Sequence, residues 1–182
     1  LDLPGMQNMI HRYNRVAVTV HWVTVLLVCT MFILGWYMVD LPQGSSRGFY
    51  FSLHKSLGIF TFLLIIFRLM WRIKSPPPGR PSEIGRFRGM LADAVHKAFY
   101  FVLLIQPITG YLSSSFSGYK TSFFSLPLPY WGWSDPPLNE FFTQLHVVFS
   151  LFLVFLIIMH LVGVVLHVIE GHGHLFRRMW FW

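Results

Sequence analysis

The sequence predicts an all-α integral membrane protein, a four-helix bundle, and three observations predict it. Of its 182 residues, 54% are hydrophobic and only 12% are charged, too apolar for a soluble domain of this length. Four apolar stretches are each long enough to cross a hydrocarbon layer of about 30 Å, for which about 20 helical residues suffice. The segments between them hold proline, glycine and charge that cannot continue a helix.

The first helix, about 14–40, contains the apolar run VAVTVHWVTVLLVCTMFILGWYMV, with one ionisable side chain, His21. The second, 49–74, has Lys55 near its start and Arg68 near its end. The third, 90–116, is uncharged from Ala98 onward and contains Pro107. Membrane helices tolerate such a kink when neighbours satisfy the freed carbonyl. The fourth, 139–170, has no Asp, Glu, Lys or Arg between Phe141 and Ile169. SPPPGRPS at 75–82 reads as a stiff loop, and SLPLPYWGWSDPP at 125–137 as a loop whose Tyr and Trp suit a membrane interface. Residues 1–11 read as an N-terminal arm or non-native residues, and 12–182 as one four-helix transmembrane domain.

Charge sets the orientation. Arg12, Arg15, the six Lys/Arg from Arg72 to Lys97, and Arg177 and Arg178 lie on one side, whereas the opposite loops hold Arg47, Lys55 and Lys120. The expectation is a bacterial inner-membrane protein in contact with lipid, both termini cytoplasmic. No A-x-A-like cleavage site follows the first helix, so it does not read as a removable signal peptide. The net charge of +7 does not point to nucleic acid, because the basic residues flank apolar runs and form no basic stripe interleaved with aromatics.

An imidazole in hydrocarbon needs a partner and marks an ion path, a proton relay or a cofactor. His146 and His160 are 14 residues apart; four helical turns take about 14.4 residues and rise about 21 Å, so the two share a face at two depths. Counted from the cytoplasmic side, His21 matches His160 at the inner level and His54 matches His146 at the outer level. Facing imidazole pairs in an apolar bundle are the ligand set of a low-spin b haem, and two pairs make two b haems in the bundle core. The single cysteine, Cys29, excludes a Cys-held iron–sulfur cluster and C-x-x-C-H attachment, so the haems are non-covalent.

The same interval links His21 to Gly35, His54 to Arg68 and His96 to Gly110. Gly35, Gly110 and also Gly58 are candidates for close approach of a cofactor, against the plainer reading that membrane glycines serve helix packing. Arg68 at the inner level suits a haem propionate, against a snorkelling side chain. His96 is a rival ligand at the inner level. His167 shares the face of His160 near the membrane surface, and His11, His172 and His174 lie outside. GHGH at 171–174 reads as a solvated tail rather than a metal site, for want of Cys or an acidic cluster.

RYNRVAVTVHW, LHKSLGIFTFLLIIFRL, HKAFYFVLLIQPITGYL, LHVVFSLFLVFLIIMHL and HLFRRM together resemble the bacterial cytochrome b561 family, which is related to the di-haem cytochrome b subunits of hydrogenases and formate dehydrogenases. The resemblance runs from about Arg12 to the end. It implies two b haems with axial ligands at His21, His54, His146 and His160, and electron exchange with ubiquinone or menaquinone. It favours His96 as a quinone or propionate contact over an axial ligand, and a titratable group such as His96 or His167 near the inner haem would suit the proton uptake of quinone reduction.

The donor is open: a partner subunit, or a small one-electron species such as superoxide drawn to Arg47, Lys55 and Lys120. The alternatives are an anchor and electron-relay subunit of a larger hydrogenase or dehydrogenase complex, and a histidine-lined metal or proton transporter.

Overall fold

The computed structural model describes residues 12–79, 84–129 and 132–181. The arm at 1–11 with His11, Arg80 and the end of the proline-rich loop, and Tyr130 and Trp131 of the aromatic loop lie outside the described residues.

Among the described residues four helices are long and apolar enough to span a membrane: α1 (Arg15–Val39), α2 (Ser45–Lys74), α3 (Arg86–Phe116) and α4 (Pro136–Ile169). A short α5 (His174–Arg177) follows. The last three long helices begin earlier than apolarity alone indicates, because a helix runs back to its cap and not to the edge of its hydrophobic stretch. Asp135 caps α4 by accepting from Leu138 N at 3.1 Å, ahead of two prolines whose missing N–H groups would be unbonded there anyway. Asn14 caps α1 by accepting from Ala17 N at 2.8 Å.

The 125–137 segment is not loop throughout. Its start forms the second strand of a small antiparallel hairpin, β1 (Ser122–Phe123) with β2 (Leu126–Pro127). The tip is pinned to α2 where Phe124 N donates to Ser56 Oγ at 2.8 Å, and to α3 through Ser114 Oγ and Thr121 Oγ1 at 2.7 Å. We call this the hairpin end of the bundle, and the opposite end, which carries both termini, the termini end.

Backbones pack in sequence order, α1 on α2, α2 on α3 and α3 on α4. Among the described residues no Cα of α4 comes within 8 Å of a Cα of α1 or α2, so side chains must bridge the middle. The termini end is clasped by the tail: Trp22 Nε1 donates to the Met179 carbonyl at 2.8 Å, and Trp22 meets Trp180 edge-on.

Packing is inverted relative to a water-soluble bundle. Leu26, Ile33, Trp36 and Leu151 are all more than 60% exposed, whereas Thr24, Ser56, Thr61 and Thr109 are buried. Small polar residues at helix contacts and large apolar ones outside are what a lipid-facing bundle requires. A purely apolar layer of Ile65, Val102, Leu103, Leu153 and Leu156 fills the centre.

Candidate functional site

That layer separates two histidine levels on α4. At the hairpin end, His54 of α2 and His146 of α4 face each other with ring centroids 6.3 Å apart and planes at 76°. His146 lies in a notch on α3 made by Gln106, Thr109 and Gly110. Its Nδ1 donates to the Gln106 carbonyl at 2.9 Å and lies 3.2 Å from Thr109 Oγ1. This fixes the tautomer and leaves the lone pair on Nε2, the atom a metal would take. The Gln106 side-chain amide sits 3.3 Å from that Nε2. Gly110 makes the notch possible, because a Cβ there would stand 3.0 Å from His146 Cε1. Gly35 of α1 flanks the partner ring, where a Cβ would stand 3.4 Å from His54 Cε1. The space behind each glycine is therefore taken by an imidazole.

At the termini end, His21 (α1), Arg68 (α2), His96 (α3) and His160 (α4) lie within electrostatic reach of one another. The ring neighbour of His160 is His96, with centroids 5.7 Å apart, and Phe99 packs against His160 from another side. His21 Nδ1 instead meets Arg68 Nη2 at 3.1 Å. The Arg68 and Arg72 guanidinium groups lie over the Tyr100 ring at 5.6 and 5.7 Å. Arg72, Asp93, His96, Lys97 and Tyr100 line a cavity of about 180 Å³ opening beside this cluster.

The remaining candidates separate from these levels. Gly58 faces Met31 Cε across the α1–α2 contact at 3.4 Å from its would-be Cβ, which is helix packing. Arg47 donates to the Val39 and Leu41 carbonyls at 3.0 and 2.6 Å, capping the end of α1, so its charge is engaged there rather than offered to an anion. Lys55 is half-buried and Lys120 exposed. Sequence reasoning missed Gln106 and Thr109, although a glutamine inside an apolar span and next to Pro107 is a signal that a buried polar partner waits for it.

Residues 12–182 match the family described as prokaryotic cytochrome b561. The chain belongs to the prokaryotic cytochrome b561 family. It is similar to cytochrome b561 homolog 2 of Escherichia coli (strain K12), with 35% identity over 133 residues, 71% of this chain and 66% of that protein, just under two thirds of its length. It is also similar to cytochrome b561 homolog 1 of the same organism, with 24% identity over 176 residues, 93% of this chain and 97% of that protein. Membership makes the chain a multi-pass membrane cytochrome b of electron transfer, and the group it implies is a b haem.

The hairpin-end residues fit such a group. The two imidazoles project toward each other from helices whose backbones stand apart, so both could serve as nitrogen ligands of one b haem. Among the described residues His54 Nδ1 is buried with no hydrogen-bond partner, as a ring waiting for a ligand role would be.

Proposed function

We propose that the chain is a di-haem cytochrome b that transfers electrons between a donor and the quinone pool, with both termini in the cytoplasm of a bacterium. The observation that carries this reading is the His54–His146 pair, facing across helices with no Cα pair within 8 Å among the described residues. A bound b haem supplies reversible one-electron chemistry. His54 and His146 hold the group at the hairpin end, and the Gln106 carbonyl keeps the proton of His146 on Nδ1.

At the termini end His21 and His160 hold the second. Among the described residues no Cα of α1 comes within 8 Å of a Cα of α4, whereas His96 and His160 come from packed neighbours. His96, freed from ligation, faces the cavity with Tyr100 and Lys97, where it contacts a quinone headgroup or delivers its proton. Arg68 supplies the positive charge for a propionate. The apolar layer between the levels excludes water and protons from the centre. The donor is a partner subunit or a small one-electron species such as superoxide.

The test is reoxidation of the dithionite-reduced chain by ubiquinone or menaquinone in liposomes. Rapid reoxidation that slows at least ten-fold in His96→Ala, with haem content unchanged, is expected. Equal rates in both proteins would remove His96 from the role, and no reoxidation by either quinone would remove quinone as the partner.

A further inference from the structure

The end of α4 carries a third group of ligand-type side chains that neither histidine level uses. The helix closes in a Schellman motif. Gly171 takes φ +83, Gly171 N donates to the Val168 carbonyl at 3.1 Å, and His172 N donates to the His167 carbonyl at 2.8 Å. This turn folds the chain back so that the residue after the glycine lies against the residue four places before it, a contact usually made by two apolar side chains. Here both are histidines, with ring centroids 6.4 Å apart.

Glu170, one helical turn after His167, completes the cluster, its Oε2 lying 4.0 Å from His172 Nδ1. One ligand atom from each of His167, Glu170 and His172 lies within 4.8 Å of the others, and among the described residues His167 Nδ1 is buried without a hydrogen bond. The sequence offers GHGH without Cys or an acidic cluster; the turn brings His167 beside His172 and Glu170.

The geometry points to a metal site at the termini end of α4, in which His167, Glu170 and His172 bind one divalent first-row transition ion. Two imidazoles and one carboxylate with open positions for water form a three-ligand set of the kind that takes Zn²⁺, Co²⁺ or Fe²⁺. Ca²⁺ and Mg²⁺ need more oxygen ligands than the site provides. Arg88 now pairs with Glu170 Oε2 at 2.5 Å across α3 and α4. Its side chain is 59% exposed, so it can yield that oxygen to the ion and return to solvent, or keep it while the metal takes the other. The site lies seven residues past His160, about 10 Å along the helix, and is separate from both histidine levels.

The test is calorimetric titration of the full purified chain, haems loaded, with Zn²⁺ alone. One site per chain is expected. It should be lost in the His167→Ala/His172→Ala double variant and weakened at least ten-fold in Glu170→Gln, a change that preserves shape and leaves the visible haem spectrum as it was. Zinc X-ray absorption of the bound state should show two imidazoles. Absence of a stoichiometric site in the parent, affinity unchanged in Glu170→Gln, or fewer than two imidazoles at the zinc would each overturn the assignment.

Discussion

The hairpin end and the termini end of this bundle each hold an α4 histidine four turns from the other, yet they are built differently. Around His146 the polar contacts among the described residues come from uncharged groups, the Gln106 carbonyl and amide and the Thr109 hydroxyl, and a glycine leaves the space that seats the ring. Around His160 stand two more histidines and Arg68, with a polar cavity beside them. The first level is shaped to hold one thing in one orientation. The second has spare titratable and charged groups and a cavity beside them, which the proposed quinone role would use.

The largest way to break this contrast is to delete one level at a time. His146→Ala should remove one of two haems and leave the termini-end signal intact; His160→Ala should remove the other. Loss of the same spectral component in both variants would show that the two histidines do not serve separate levels. Next in size is the choice of partner for His160. Visible spectra of His21→Ala should show one haem missing and those of His96→Ala both present; the reverse result would transfer the ligand role to His96.

A smaller effect probes the notch. Gly110→Ala drives a methyl into the His146 ring, and overpacking of that kind costs about 1–3 kcal/mol. Haem should therefore leave the hairpin end more readily in denaturant, with the termini-end haem unaffected. Gly35→Ala, whose added carbon stands at ordinary contact distance from His54, should do so less. Equal loss from both would mean that the notch plays no part. The smallest expected change is in potential. Arg68→Leu removes a positive charge near the termini-end level, which favours the oxidised form and lowers that midpoint by on the order of tens of millivolts. A redox titration with both midpoints unmoved at full occupancy would make Arg68 a snorkelling side chain.

Four helices were legible because 20-residue apolar runs have no other economical fate, and the depth of each histidine was legible because a helix turns at a fixed rate. Neither property says which helix stands beside which. Periodicity placed His21, His96 and His160 at one level but could not tell that His96 of α3 would be the ring next to His160 while His21 turned to Arg68. Helix starts were misplaced for a related reason: Ser45 and Arg86 are polar, and hydrogen bonding carries the helix past the apolar edge. The hairpin at Ser122–Pro127 was out of reach altogether, since two-residue strands have no pattern and hold through Ser56 and Ser114, 66 or more residues away in the first case. The His167–Glu170–His172 cluster was hidden because a Schellman turn, and not a helical face, brings its members together.

The central claim is that this chain holds two non-covalent b haems, one at each level. A pyridine haemochrome assay per mole of purified chain, read with the reduced-minus-oxidised visible spectrum, tests it most directly. Two extractable b haems per chain are expected. One haem per chain, none, or haem that resists acid–acetone extraction would contradict the account.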